Sequence, residues 1–448
     1  MKPGTVELGT VIAPSGRALI LDAGDLDLWC HDRAIVMPKG KLSTAEVSAD
    51  ASEAVDCRIE GPEAEAAGRA LGRQWHPTYL FDVPRKDVSA TRADLDQLGL
   101  LASLRVLDER VSHRRRIDLA LEHGRGAGEL QFHGLWAGAV GDLPAGELRV
   151  FGERMPDDSP DRGRLASITL VVREGRVEKS EPFAKVMVDF ARLLIVDADA
   201  VGLWQHDAAI DGKGDFAFWG RDAEVVAKQV SATLLDGEGV FGWRDLPIGD
   251  AVRLGSEVED LRASGAFKFA TDFRPHSHHY QLMEQVRAGE SESGVVTLGA
   301  AKACGFMTTW GDGLFDVVRD LGSKGELLKL RIELGTPQRQ KLMRSLDFRW
   351  FKAALVSRHV TEGGRPVRFM YRETPDRDSD SGWRMFSGEE PEAYSDDAAN
   401  IEVVPLHRFD DLDPRVARLL EEPIGAVYER VTGAEEFKPV MDWKPSDD

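Results

Sequence analysis

The densest run of titratable side chains in the chain is His276-Ser277-His278-His279. Imidazoles two and three residues apart can converge on one zinc or copper ion once a further donor comes from elsewhere. The competing reading is a polar surface strand, because the corresponding stretch upstream, His113-Arg114-Arg115-Arg116, accepts other basic groups. A second pattern occurs twice, as His31-Asp32 and His206-Asp207. A carboxylate can orient an imidazole as a base, yet neighbours on a strand point to opposite faces. A structural role is therefore favoured, with Trp29 and Trp204 anchoring cores and His-Asp capping the turn that follows. Further on, Asp380-Ser381-Gly382-Trp383 has the residue types of an exposed turn with an aromatic anchor. Trp383, with Phe386 three residues later, has the make-up of a binding hot spot. The bland alternative has Trp383 covering the core of its own small domain. Beyond it, Glu389-Glu390-Pro391-Glu392-Ala393-Tyr394-Ser395-Asp396-Asp397 is suited to a basic protein surface, or to a cation were the calcium-loop spacing not missing.

Conventional machinery is absent. Walker A, GxGxxG after a strand, HExxH and spaced Cys-His sets do not occur, and Ser381 lacks the Gly-x-Ser-x-Gly surround of an activated nucleophile. Gly124-Arg125-Gly126-Ala127-Gly128 follows no apolar strand. No cofactor is expected, and binding is the expected mode of action.

The elements that must position these residues begin with a repeat. Residues 19–35, LILDAGDLDLWCHDRAI, align without gaps on residues 194–210, LIVDADAVGLWQHDAAI, with more than half the positions identical. The copies lie about 175 residues apart, far beyond the roughly 20 to 50 of solenoids and propellers, which points to a duplicated domain. Each copy reads as a buried strand entering a polar loop. In the second copy Gly311-Asp312-Gly313 predicts a hairpin turn, and Leu328, Leu330, Ile332 and Leu334 alternate with charged residues as a half-buried strand does. Helices are expected over residues 221–234, carrying Val225, Val226, Val230 and Leu234, from Ala93 onwards, over residues 338–346, and after Pro414.

At 448 residues, 42% hydrophobic and 30% charged, the chain is of ordinary globular composition and long enough for about three domains. Its formal net charge of −20 opposes attraction to nucleic acid or to anionic membranes and suits a basic protein partner. Three scattered cysteines, Cys30, Cys57 and Cys304, form neither a disulfide framework nor a metal motif and fit a reducing cytoplasm. No apolar run reaches membrane-spanning or signal-peptide length.

The C-terminal order is specific: Ala353-Ala354-Leu355-Val356-Ser357, then Val367-Arg368-Phe369-Met370-Tyr371-Arg372-Glu373, the DSGW-x-x-FSG segment, the acidic string, and Ile424-Gly425-Ala426-Val427-Tyr428-Glu429-Arg430. Over roughly residues 350 to 440 this resembles immunity protein family 33. The preceding region resembles an uncharacterised bacterial β-rich family that closes on Gly-Asp-Gly, although Asp197-Ala198-Asp199-Ala200 stands where members carry Asp-Pro-Cys-Tyr.

The expected fold class is α+β: two tandem divergent β-rich domains, 1–175 and 176–345, then a small α+β domain, 346–448. The resemblance implies a cytoplasmic immunity protein that occludes a basic toxin domain, contacting it through Trp383, Phe386, Glu389, Glu390, Tyr394, Asp396 and Asp397. Two alternatives differ in class. One is a metal-dependent enzyme or sensor using His206, Asp207, His276, His278 and His279, with His276, His278 and His279 as ligands; the other is a multi-domain interaction scaffold.

Overall fold

A computed structural model describes residues 4–24, 26, 54–72, 80–123, 129–132, 135–236, 239–391, 393–394, 397–431, 433, 436–441 and 443. Trp29, His31, Asp32, the glycine run 124–128 and Asp396 lie outside the described residues. The chain divides into two compact units, Met1–Gly335 and Thr336–Asp448, and is mixed α/β and rich in sheet.

In the first unit, elements follow one another in the same order on either side of residue 175. The first half runs β1 (Thr5–Ile12), β2 (Ala18–Asp22), β3 (Ala54–Glu60), α1 (Ala64–Ala70), β4 (Leu80–Pro84), α2 (Val88–Gln97), β5 (Ser103–Val106), α3 (His113–His123), β6 (Glu129–Phe132), β7 (Leu135–Val140), β8 (Glu147–Arg154) and β9 (Leu165–Val171). The second runs β10 (Lys179–Val188), β11 (Arg192–Asp197), β12 (Lys213–Trp219), α4 (Ala223–Val230), β13 (Thr233–Asp236), β14 (Val240–Pro247), α5 (Ile248–Ala263), β15 (Ala270–Pro275), α6 (His278–Ala288), β16 (Ser293–Leu298), β17 (Ala301–Met307), β18 (Gly313–Leu321) and β19 (Leu327–Glu333). Only β13 has no counterpart among the described residues.

The halves are not strung one after the other. Their strands share one 12-stranded sheet, in the order β10-β18-β19-β9-β8-β1-β17-β11-β2-β7-β6 with β16 on β17, so the expected division at 175/176 falls inside one compact unit. Its pairings β19 with β9 and β11 with β2 join equivalent strands of the two halves. The sheet curls into a near-closed barrel. At the seam Gly138 of β7 faces β10 so closely that a Cβ there would lie 3.2 Å from the Ala184 Cβ. Each half also folds a small separate sheet, β4-β3-β5 and β13-β14-β12-β15.

The repeated motif supplies the strands at the centre of one of these pairings: Leu21 is opposite Leu194, Ile20 opposite Ile195 and Leu19 opposite Val196. All six side chains are buried, which is why both copies read as continuous apolar runs. On β19 the expected alternation appears, with Leu328, Leu330 and Ile332 buried and Lys329 and Arg331 not.

Two local expectations need correction. The helix expected over 221–234 ends at Val230, because Ser231 takes φ 55; Val225 and Leu234 are 56% and 57% exposed. Gly311 and Gly313 do take positive φ, 66 and 148, but they do not close a hairpin. They carry the chain from β17 to β18, whose neighbours are β10 and β19, while the Asp312 carboxylate accepts from the Ala191 N–H at 2.7 Å.

The second unit opens with α7 (Pro337–Phe351), capped by the Thr336 hydroxyl, which accepts from Arg339 N. Strands β20 (Ala353–Ser357), β21 (Phe369–Arg372), β22 (Asp380–Phe386), β23 (Ile401–Pro405), β24 (Val427–Glu429) and β25 (Lys438–Pro439) form one sheet, ordered β23-β20-β22-β21-β24-β25. Short helices α8 (Arg358–Thr361), α9 (Phe409–Leu412) and α10 (Pro414–Ala417) complete it. The core lies against one face of the sheet, where Ala354, Val356, Met370, Trp383, Met385 and Val404 meet Leu406, Phe409, Val416 and Leu420.

Candidate interaction surface

Period-two alternation divides the second sheet into two apolar faces. Met370 and Met385 are opposite each other on the core side; Tyr371 opposite Arg384, Phe369 opposite Phe386, and Leu355 opposite both Arg384 and Val403 lie on the other. On that outer face the rings of Phe369, Tyr371, Phe386 and Trp443 form a connected cluster, with centroid separations from 4.5 Å (Tyr371 to Trp443) to 6.3 Å (Tyr371 to Phe386). All four are only half-buried.

Arg384 stands on the central strand of this face and is 5% exposed, so its charge requires partners. The Asp380 carboxylate accepts from both guanidinium nitrogens at 2.9 Å, and Glu373 lies 2.5 Å from Nε. Hydrogen bonding from Arg384 holds the Asp380 carboxyl well below the usual carboxylate range, helped by the N–H groups of Gly382 and Asp376 and opposed by burial. Beside this pair opens a cavity of about 260 Å³, lined among others by Ala353, Leu355, Val403, Asp376, Asp380 and Arg384.

The segment Asp380-Ser381-Gly382-Trp383 is therefore the start of a buried strand, not an exposed turn. Gly382 has φ 80, and a Cβ there would come within 2.1 Å of the Glu373 carbonyl oxygen, so the position is closed to other residues. Trp383 is wholly buried, and its indole N–H donates to the Leu420 carbonyl at 2.8 Å. It presents nothing to a partner; the core of its own unit uses it.

The remaining residues expected at a binding face are dispersed. Phe386 belongs to the outer cluster. Glu389 is exposed but ion-paired with Arg365 at 2.8 Å and Arg368 at 3.1 Å. Glu390 turns back to accept from Ser387 N at 2.7 Å; burial works to raise its carboxyl, but hydrogen bonds from Ser357 and Ser387 leave it lowered. The Tyr394 ring sits 4.5 Å from that of His359. Asp397 caps the turn Ala398–Asn400, accepting from Ala399 N. The described acidic residues of the string, Glu389, Glu390 and Asp397, are thus each engaged within their own unit.

The histidines of the first unit fan out because they span the start of a helix, where successive side chains diverge by about 100°. His276, 6% exposed, lies between Asp211 and Asp215, each 3.0 Å away, and stacks on Tyr280, whose hydroxyl donates to Asp215. Burial pulls this imidazole down, but the two carboxylates prevail and raise it. His278 Nδ1 accepts from Gln205 N, and its ring stacks on that of Trp204. His279 stacks on His206 at 4.2 Å and meets Arg192 at 3.0 Å. Burial, with His206 and Arg192 adding to it, pushes His279 down to about 2. His206 accepts from the Trp204 indole and is likewise lowered by burial, against the pull of Asp207.

These histidines serve different partners, so His276, His278 and His279, the ligand trio of the alternative reading, do not converge; among the described residues no group of three His, Cys, Asp or Glu is placed to hold a metal ion. Neither is the run a surface strand. Trp204 is wholly buried in the core, as its repeat position implies.

Residues 354–441 match the family model of the immunity protein Imm33 domain. This Imm33 region begins within β20 and extends through β25, and so takes in nearly all of the second unit's sheet. It includes Leu355, Tyr371, Arg384, Phe386 and Val403, with Trp443 just beyond its end. No curated protein and no solved structure matches the chain. Of the outer face of the Imm33 region, sequence reasoning named Phe386 but missed Leu355, Phe369, Tyr371 and Val403. Its only signal was that Phe369 and Tyr371 alternate with Met370, which is compatible with apolar residues on both sides of a strand.

Proposed function

We propose that the chain is a bacterial immunity protein that acts in the cytoplasm, neutralising a protein toxin by stoichiometric binding and occlusion. The observation that carries this reading is the match of residues 354–441 to the Imm33 domain. The acidic balance, 77 acidic residues against 57 basic, favours encounter with a basic partner. Catalysis is not part of the proposal, since binding alone accounts for occlusion. The test is co-production with the toxin encoded beside the gene: cells survive and a stable complex is purified if the reading is right, whereas unprotected cells and no complex refute it.

We infer further that the two halves of the first unit descend from one duplicated module. The gapless motif, the shared element order and the pairing of equivalent strands support this. On this reading the halves fold together, each completing the sheet of the other.

A further inference from the structure

Resting on the immunity reading, we propose that the protein partner docks on the outer face of the second unit's sheet and places a lysine or arginine side chain in the cavity beside Leu355 and Val403. Three observations converge there. The face is apolar and open: the ring cluster of Phe369, Tyr371, Phe386 and Trp443 is half-exposed, and Val403, on the sheet-edge strand β23, is 56% exposed. Aromatic anchors flanked by aliphatic residues are what interface centres are made of.

The second observation is charge. Asp380 and Glu373 already neutralise Arg384, yet Asp376 also borders the cavity, with its side chain 86% exposed and 3.9 Å from Arg384. Asp376 and Asp380 thus balance Arg377 and Arg384 in the cavity lining, and Glu373, which pairs with Arg384 from outside that lining, adds one further negative charge. The unit as a whole carries 23 acidic against 17 basic residues, so a cationic group is drawn to it at longer range as well. The third is shape. A long basic side chain lays its aliphatic stem on apolar surface while its head reaches a carboxylate, and Ala353, Leu355 and Val403 line this cavity opposite Asp376. In the acidic string, by contrast, Glu389 is already paired with both Arg365 and Arg368.

The test uses the full chain and a non-toxic variant of the toxin encoded beside the gene as the probe, with affinity read by biolayer interferometry. Val403→Arg and Asp376→Arg alter exposed positions, and unchanged melting temperatures verify that they fold; Val403→Ser stands in should Val403→Arg melt early. Each is expected to weaken binding by about tenfold or more, whereas Glu389→Ala stays within about twofold. Wild-type affinity in both face variants overturns the docking face and leaves the immunity reading intact. Absence of binding by the wild-type chain overturns both. Self-association of the wild type that Val403→Arg abolishes assigns the face to a second copy of the chain, and so overturns the proposal too.

Discussion

Asp22 and Asp197 end the two paired strands of the repeated motif, and each accepts hydrogen bonds from the turn that introduces the other's strand. Asp22 takes the N–H groups of Asp189 and Phe190, at 2.6 and 3.0 Å, ahead of β11; Asp197 takes that of Ser15, at 2.9 Å, ahead of β2. Each also holds its own following turn, through Gly24 N and through Asp199 and Ala200 N. Both carboxylates are buried. Asp22→Ala or Asp197→Ala removes the buried acceptor that these amides share, and a loss of about 1–3 kcal/mol is expected in urea unfolding of the first unit. Unchanged stability would contradict the reciprocal tie.

The histidines give stability two pH limbs. His206 and His279 are lowered, so the unfolded chain binds more protons than the native one between the ordinary value of 6.5 and their native values; stability is present above pH 6.5 and falls on acidification below it. His276 is raised, so its contribution is full below 6.5 and is lost as pH climbs through its native value. Melting temperature against pH should peak near 6.5. His279→Asn should flatten the acid limb and His276→Asn the alkaline one; a profile insensitive to both variants would refute the assignment.

Replacing Trp383 tests whether it serves the core or a partner. With its indole wholly buried and hydrogen-bonded to Leu420, Trp383→Ala is expected to cost about 3–5 kcal/mol in the unfolding of the second unit. Calorimetry should show that transition shifting down while the transition of the first unit stays in place. A variant with full stability but no partner binding would return Trp383 to the surface role that its residue type first implied.

Removing Asp380 leaves the Arg384 guanidinium buried with Glu373 as its near partner. A loss of about 3–5 kcal/mol is expected for Asp380→Ala. Because the Asp380 carboxyl is depressed in the native state, its contribution is present above the ordinary value of 3.8 and is lost as pH falls through the native one. The stability difference between wild type and Asp380→Ala should therefore shrink as pH falls below 3.8; a gap that persists in strong acid would contradict the ion pair.

Much of this arrangement was visible in the chain wherever period and residue type speak locally. The apolar runs of the repeat, the alternation of Leu328, Leu330 and Ile332, the positive φ of Gly311 and Gly313 and the burial of Trp204 all follow from rules acting over a few residues. Which strands pair does not. One partner of Leu19–Asp22, β11, lies in the other half of the unit, and only the folded sheet brings Asp22 to the turn at Asp189. Asp380 reads as part of an exposed turn because charge usually means exposure; its burial depends on the bidentate pair it makes with Arg384 across a bulged strand start at Gly382. The pairing of Glu389 was not legible locally either, since Arg365 and Arg368 stand more than twenty residues before it.

The central claim is that this chain neutralises a toxin by binding it. The most direct measurement is isothermal titration of the full chain with the non-toxic variant of the neighbouring toxin, alongside survival of cells producing both active proteins. The account predicts saturable, stoichiometric binding together with survival. No heat of binding, with cells dying as fast as those that lack the chain, would contradict it.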